Sequence, residues 1–295
     1  MMKKIVSLLT LLLMFLGLTF VFLRSCTKFQ KSNRHGESIQ IKGSDTIVNL
    51  VQVWAENFVK QYSTYSVGVT GGGSGTGLAA LINKTCDMAM SSREIDEKEE
   101  ILAKKNNVVP VRFKVGMDGL AVLVNKNNPI NKLTLEQLRD IFMAKITNWK
   151  EVGGEDKKIV ILSRESNSGT HMFFKERVLR NNDKNSKDEF SVHSLIMSSS
   201  QAIYDEVCQN SNSLGYVGMG FINDGVKAIS IAVNKTSEHV YPTVKNVTNN
   251  TYTISRPLYL YTNNEPCGIV KMFIEYVLSD TGQKVVSETD FVPIN

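Results

Sequence analysis

The amino-acid sequence predicts an α/β fold, because segments with strand periodicity alternate with segments with helical periodicity along most of its 295 residues. Composition agrees with this fold class. Apolar residues make up 42% of the chain and charged residues 21%, and the length suffices for two domains of common size. In addition, three short runs of glycine and hydroxyl residues each separate a predicted strand from a predicted helix.

The first half of the alternation is regular. Strands are expected at 39–41, 65–70 and 88–90, and helices at 47–62, from about 78, and at 96–105. The second half continues with strands at 108–113, 120–124, 159–162 and 254–261, and with helices at 133–144, from about 171, at 201–209 and at 268–278. Residues 215–218 are predicted to be a buried turn leading into a strand, and residues 181–187 an exposed loop.

The N-terminus is typical of an export signal. Lys3 and Lys4 form a positive start, and an apolar run follows over residues 5–23. Cys26 follows Ser25 as in a lipobox, which predicts a lipidated cysteine, although Arg24 stands where a small residue is usual. An uncleaved membrane helix is the alternative. Either leader tethers an exported body to the membrane through the polar segment 27–37.

The charge distribution argues against a nucleic-acid partner. The chain has 34 Lys and Arg against 29 Asp and Glu, three of the basic residues lie in the leader, and the rest are interspersed with acidic residues.

Beyond Cys26 only Cys86, Cys208 and Cys267 remain, without CxxC spacing or paired histidines. Neither a metal site nor a cofactor is expected, and buried free thiols are the simplest interpretation.

Three turns carry the predicted binding chemistry. In each, a strand ends, glycine and hydroxyl residues follow, and a helix begins, so free backbone N–H groups and the positive end of a helix dipole lie beside hydroxyls. Helix capping explains one such turn by itself, but three together favour an anion site. The turns are Gly43-Ser44-Asp45-Thr46, residues 71–77 around Ser74, and Arg164 to Thr170 with Ser168 and Gly169.

Arg164 adds a planar cation whose forked donors match a tetrahedral oxyanion.

Enzymatic alternatives do not fit these turns. Residues 71–77 lack a P-loop lysine and a G-x-S-x-G pattern. His171 follows Ser168 too closely on a helix start to act as its base, and no orienting acid is evident. A binding protein rather than an enzyme is therefore predicted.

In order, these segments resemble the signatures of PstS-type phosphate-binding proteins. The matching segments are Gly43-Ser44-Asp45-Thr46, residues 72–77, Asp87 to Arg93, Asn148-Trp149, Arg164 with Ser168-Gly169-Thr170, and Leu214-Gly215-Tyr216-Val217. The resemblance runs from about Ile39 to Phe291 and implies a type II periplasmic-binding fold, in which two α/β lobes joined by two hinge strands close on phosphate. It places the first lobe at 38–124 plus 258–295 and the second at 125–257, after a leader at 1–26.

The resemblance also implies the site residues. Ser44, Asp45, Thr46, Ser74, Ser92 and Arg93 would contact phosphate from the first lobe, and Arg164, Ser168, Gly169 and Thr170 from the second. For Arg93, pairing with Glu94 or Asp96 is the alternative. The implied partners are inorganic phosphate, the permease and ATPase subunits of an ABC importer, and the membrane through a lipid anchor on the periplasmic or cell-surface side.

Ser92 departs from the family pattern, since many members carry an aspartate there that accepts a hydrogen bond from protonated phosphate. Asp45 either takes over this acceptor role or only caps the helix near Ile47. The departure keeps sulfate, molybdate and tungstate open as ligands. A hydrolase using Ser74 or Ser168, and an adhesin or sensor on the same fold, are the alternatives from other classes.

Overall fold

The protein is described from a computed structural model, which covers residues 37–183 and 185–294. Its strands are β1 (Ser38–Gly43), β2 (Ser66–Thr70), β3 (Met88–Ser91), β4 (Pro110–Asn125), β5 (Lys132–Thr134), β6 (Val160–Arg164), β7 (Leu195–Met197), β8 (Ser213–Gly218), β9 (Val226–Ala228), β10 (Ser230–Ala232) and β11 (Ser255–Asn263). Its helices are α1 (Val48–Gln61), α2 (Ser74–Ile82), α3 (Glu97–Lys105), α4 (Leu135–Phe142), α5 (Gly169–Phe174), α6 (Ser200–Gln209), α7 (Val244–Thr248), α8 (Gly268–Leu278) and α9 (Asp280–Glu288). The predicted α/β alternation is confirmed.

One long sheet carries both halves of the fold, with strand order β2-β1-β3-β11-β4-β8-β6-β7 and β9 beside β4. In the first half β1 pairs in parallel with β2 and β3. In the second half β6 pairs in parallel with β7 and β8. Parallel strands end at the same edge of a sheet, so the turns that follow them are brought together in each half.

Two antiparallel strands, β4 and β11, join the halves. The predicted strands at 108–113 and 120–124 are wrong as separate elements, because they form the single strand β4. Its residues up to Gly119 pair with β11, and its residues from Leu120 pair with β8. Polar residues inside this strand, among them Asp118, break the apolar pattern. The side chain of Asp118 is nevertheless buried, because Arg256 lies directly opposite on β11 and donates to it.

Three of the differences between the predicted and the observed elements have identifiable reasons. Helix α2 begins at Ser74 rather than near residue 78, and Gly77 lies so close to β1 that an added Cβ would be 2.4 Å from the Lys42 carbonyl oxygen. Helix α4 begins after Thr134, which caps it. Residues 215–218 are strand rather than turn, because they pair with β4. Gly215 also lets α6 pack directly on β8.

The hydrophobic core lies on both faces of this sheet. Trp54 of α1 is fully buried and donates its indole N–H to the Gly282 carbonyl oxygen at 2.8 Å, which anchors α9, a helix the sequence analysis did not predict. In the second half Phe174 stacks on Tyr216 with ring centroids 4.1 Å apart. These contacts hold α5 and β8 in place behind the third turn.

The leader, Cys26 and most of the predicted tether lie outside the described residues. Within the described part of the chain, every helix is too short or too polar to cross a membrane.

Candidate functional site

The three serine-bearing turns meet between the two halves of the sheet. The turns after β1 and β2 lie side by side, because these strands are parallel neighbours. The turn after β6 reaches them from the other half. The approach is closest at Gly169, where an added Cβ would lie 2.3 Å from Ser74 Oγ and 2.7 Å from Ser92 Oγ. Glycine is therefore required at this contact.

Three hydroxyls of the first half form one buried cluster. Ser44 donates to Ser92 Oγ at 3.1 Å, and Ser74 Oγ lies 3.3 Å from the same oxygen. The Ser92 amide also donates to Ser74 Oγ at 3.1 Å. All three side chains are buried, so they form a neutral, donor-bearing surface opposite Gly169. Ser92 takes part in this cluster as a hydroxyl.

Backbone geometry places Ser44 in this cluster. Gly43 ends β1 with φ near 141°, and a Cβ there would be 2.1 Å from the Met90 carbonyl oxygen. This close approach lets the Ser44 amide donate to that same oxygen at 2.8 Å. The turn after β1 is thereby fixed to the end of β3, which carries Ser92 immediately beyond it.

Asp45 joins the two halves of the sheet electrostatically. Its Oδ2 accepts from Arg164 Nη2 at 2.7 Å, and its Oδ1 accepts from the Gly72 amide at 2.8 Å. Helix α1 begins at Val48 with no side-chain cap. Of the two roles weighed from the sequence, capping is therefore wrong, while the acceptor role stays a prediction.

Arg164 is buried and held rigidly at the end of β6. Besides Asp45, its guanidinium donates to the Met197 and Ser198 carbonyl oxygens at 3.2 Å and to Ser200 Oγ at 3.1 Å. These bonds use four of about five guanidinium hydrogens. Among the described groups, one hydrogen on Nη1 has no acceptor and is left for a ligand. The other bonds fix the orientation of the planar guanidinium.

The third turn ends in the first residues of α5. Ser168 is its N-cap and accepts from the His171 amide at 3.3 Å. Gly169 and Thr170 occupy the first turn, where backbone N–H groups have no acceptor within the helix. The Thr170 hydroxyl lies 2.7 Å from the Thr46 hydroxyl of the first turn. All of these side chains are buried.

Arg93 is placed differently from the other predicted residues. Its two terminal nitrogens each lie 2.7 Å from a carboxylate oxygen of Glu99, and one also donates to the Glu94 carbonyl oxygen. Glu99 in turn accepts from the Asp96 amide in the capping box of α3. The guanidinium is thus engaged with α3, although neither of the acids considered from the sequence is its carboxylate partner.

The structure adds residues that sequence reasoning missed. Arg256, which the sequence placed only within the predicted strand at 254–261, is buried in an ion pair with Asp118 and donates to Thr46 and Thr170. An aspartate next to the apolar run 120–124 and an arginine inside the predicted strand 254–261 were the available signal. Asn167 also bridges the halves, donating from Nδ2 to the Gly72 carbonyl oxygen and to Thr76 Oγ1, both at 3.1 Å.

A polar layer supports Arg164 from behind. Tyr216 lies 2.8 Å from Ser163 Oγ and accepts from the Arg164 amide at 3.3 Å, and burial raises the pKa of Tyr216 to about 12. His171 Nδ1 lies 3.4 Å from Ser163 Oγ, and burial, aided by Lys175, lowers the pKa of His171 to about 4. The imidazole therefore faces Ser163 rather than a hydroxyl of the three turns, an arrangement unlike a serine nucleophile with its base.

Among the described residues, His, Cys, Asp and Glu side chains form no group of three that could hold a metal ion.

Comparison with known proteins agrees with this geometry. A family model described as a PBP superfamily domain matches residues 30–281. The phosphate-binding protein PstS of Pseudomonas aeruginosa is 31% identical over 284 residues, which cover 90% of this chain and 86% of that protein. The protein of the same name from Staphylococcus aureus is 30% identical, over 85% of this chain and 76% of that protein.

Solved structures give the same result. A putative phosphate ABC transporter substrate-binding protein from Clostridium perfringens, solved with bound phosphate, has a TM-score of 0.79 and 31% identity and covers 88% of this chain and 100% of its own. An ABC-type phosphate transport receptor from Vibrio cholerae has a TM-score of 0.66 and 31% identity, with coverage of 86% and 99%. The two-lobed type II fold and the resemblance drawn from the sequence are confirmed, and this chain belongs to the PstS family of phosphate-binding proteins within the PBP superfamily.

Proposed function

We propose that this chain binds inorganic phosphate outside the cytoplasm and delivers it to an ABC importer, without covalent chemistry. The observation that carries the proposal is the meeting of three serine-bearing turns from both halves of the sheet around buried hydroxyls and one rigidly held arginine. Hydroxyls, first-turn amides and a guanidinium are the donors that a desolvated oxyanion requires. The similar proteins described above are phosphate-binding proteins.

The proposed ligand set comes from both lobes. It consists of Ser44, Asp45, Thr46, Ser74 and Ser92 from the first lobe and Arg164, Ser168, Gly169 and Thr170 from the second. For Arg93 we propose an indirect role, because its pairing with Glu99 ties the turn after β3 to α3. The proposed lobes are residues 38–124 with 258–295 and residues 125–257, closing about β4 and β11 as hinge strands.

The free acceptor positions of the Asp45 carboxylate favour phosphate over sulfate as the ligand. A carboxylate has about four acceptor positions, and the Gly72 amide and Arg164 occupy two of them. Phosphate carries at least one proton near neutral pH and can donate it to a remaining position, whereas sulfate has none to donate. We therefore propose that Asp45 replaces the acceptor that Ser92 lacks. Sulfate, molybdate and tungstate remain the alternative ligands, and measuring their binding tests this proposal.

The remaining parts of the proposal concern delivery. A permease and a cytoplasmic ATPase are the proposed partners, because binding and closure supply neither a membrane path nor energy. A lipid on Cys26 is the proposed anchor on the periplasmic or cell-surface side.

Calorimetry on the full chain, purified in detergent and stripped of bound anion, tests the proposal. Phosphate, sulfate and molybdate are titrated at two pH values on either side of neutrality. Stoichiometric binding of phosphate with no response to the other ions supports it. Comparable binding of phosphate and sulfate would assign a broader oxyanion ligand, and no binding of any of the three would reject the function.

A further inference from the structure

Arg256 and Asp118 form a buried ion pair in the two strands that join the lobes. They lie opposite each other on β11 and β4, and their exposed fractions are 2% and 0%. Arg256 donates to Asp118 Oδ2 from Nε at 3.0 Å and from Nη2 at 2.9 Å, and the Met219 amide donates to Asp118 Oδ1 at 3.0 Å. Apolar residues of similar volume often stabilise a fold as well as a buried ion pair does, so stability alone does not account for this pair.

The guanidinium reaches a hydroxyl from each lobe. Nη2 lies 3.0 Å from Thr170 Oγ1 at the start of α5 and 3.3 Å from Thr46 Oγ1 in the turn after β1. These two hydroxyl oxygens are themselves 2.7 Å apart. One nitrogen of Arg256 therefore lies at the point where the first and third serine-bearing turns meet.

This geometry sets the direction of the hydroxyl hydrogens. Nη2 has two hydrogens for three acceptors, which are Asp118 Oδ2 and the two threonine oxygens, so one N–H group is shared. Each threonine has one O–H hydrogen, and an oxygen that accepts from a guanidinium directs its own hydrogen elsewhere. One of the two hydroxyls donates to the other across the 2.7 Å contact, and the remaining hydrogen is left to donate to a third group. An anion held by the surrounding turns is an acceptor at that place.

We propose that Arg256, oriented by Asp118, is a positioning residue for anion recognition, which holds the Thr46 and Thr170 hydroxyls as donors when the lobes close. This inference rests on the proposed function of the site. It differs from a purely structural role of the ion pair, because a structural role affects the free energy of unfolding, whereas the coupling between Arg256 and the threonines in phosphate affinity would be zero. In the proposed role the guanidinium and the hydroxyls act on phosphate binding as one unit.

The test is a double-mutant cycle on the full chain, with phosphate affinity and dissociation rate as readouts. Arg256→Lys keeps the charge but loses the forked contact, and Thr170→Val removes one hydroxyl. We expect each to weaken phosphate binding roughly 10- to 100-fold, because a hydrogen bond to a charged group is lost. The double variant should be much less impaired than the product of the two effects.

Arg177→Lys is the matched control, because Arg177 also donates to a threonine, Thr253, but outside the three turns. It should bind phosphate as the wild type does. Independent effects of Arg256→Lys and Thr170→Val on affinity would overturn the proposal while leaving the proposed function intact. A wild type that binds no phosphate would reject both.

A second cycle covers the case in which Arg256→Lys does not fold. Asp118→Asn keeps the shape of the carboxylate, and Asp118 has no hydrogen bond to Thr170, so coupling between them must pass through Arg256. The effects of Asp118→Asn and Thr170→Val on phosphate affinity should therefore be non-additive. Additive effects would overturn the proposal in that case as well.

Discussion

Asp45 and Arg164 form an ion pair with 2.7 Å between Oδ2 and Nη2, and the pair connects the turn after β1 with the end of β6. Both side chains are largely buried, with exposed fractions of 11% and 1%. Because the two residues belong to opposite halves of the sheet, the ion pair depends on the relative position of the halves. The proposed closure of the lobes on phosphate would therefore form this ion pair, and opening would break it.

The acceptor role of Asp45 predicts the behaviour of Asp45→Asn. We expect phosphate affinity to fall by roughly 10- to 100-fold, because the variant loses a charge-assisted partner of Arg164 and an acceptor for the phosphate proton. Sulfate binding should improve relative to phosphate, since a negative charge beside the site is removed. Competition calorimetry measures the ratio of the two affinities.

Asp156→Asn is the matched control, because Asp156 is an exposed carboxylate paired with Lys150. It should leave both affinities unchanged. An unchanged phosphate-to-sulfate preference in Asp45→Asn would show that Asp45 does not accept the phosphate proton.

The contact at Gly169 predicts that Gly169→Ala prevents closure. The added methyl group would lie 2.3 Å from Ser74 Oγ, and the adjoining residues are buried and hydrogen bonded, so the lobes cannot come together without displacing them. We expect phosphate binding to weaken at least about 100-fold. Small-angle scattering should show no compaction on adding phosphate.

Ser166→Ala is the control in the same turn, because Ser166 is exposed. It should retain both phosphate binding and compaction. Normal compaction in Gly169→Ala would mean that the turns are less constrained than their distances indicate.

Much of this arrangement could be predicted from the sequence because its signals are local. A glycine that admits close backbone approach, a serine at a helix start and an alternating strand pattern each depend on neighbouring residues, and the turns around Ser44, Ser74 and Ser168 lie where these rules place them. Arg164 was identifiable for the same reason, since it stands at a strand end just before such a turn.

The residues that were missed depend on pairing over long sequence distances. Arg256 and Asp118 are 138 positions apart, and only the register of β4 against β11 brings them together. Pairing also explains why β4 is one strand, because residues with weak strand preference are held by partners on β11 and β8. The partner of Arg93 was likewise decided by the orientation of α3.

The contacts of Asn167 predict that phosphate is released more slowly from the wild type than from Asn167→Ala. Its side-chain amide donates hydrogen bonds to Gly72 and Thr76 of the other lobe, and these contacts must break before the site opens. We expect the dissociation rate of phosphate to rise roughly 5- to 10-fold, with little change in the association rate. Stopped-flow measurement with a phosphate competitor provides both rates.

Thr76→Val provides a graded comparison, because it removes one of the two acceptors of the Asn167 amide. Its dissociation rate should lie between those of the wild type and Asn167→Ala. A slower association rate with unchanged dissociation would contradict the role of Asn167 in holding the closed form.

His171 predicts a loss of stability in mild acid. It is buried, packs against Phe190 in a tilted arrangement with ring centroids 4.4 Å apart, and has Lys175 and Glu189 as charged neighbours. Burial, with a smaller contribution from Lys175, lowers its pKa from 6.5 to about 4 in the folded protein. Between these values the unfolded chain binds a proton that the folded protein does not bind, so the free energy of unfolding falls as the pH falls through this window.

The expected size of this contribution is on the order of 2 to 3 kcal/mol between pH 7 and pH 4. Urea unfolding at several pH values, compared between the wild type and His171→Gln, isolates it from the titration of other groups. The variant should lose less stability than the wild type over this range, and below pH 4 the two curves should run parallel. The exposed His193 supplies the control, because His193→Gln should follow the wild type throughout. A constant difference between wild type and His171→Gln from pH 7 to pH 4 would mean that the buried imidazole takes up its proton in the folded protein as readily as in the unfolded chain.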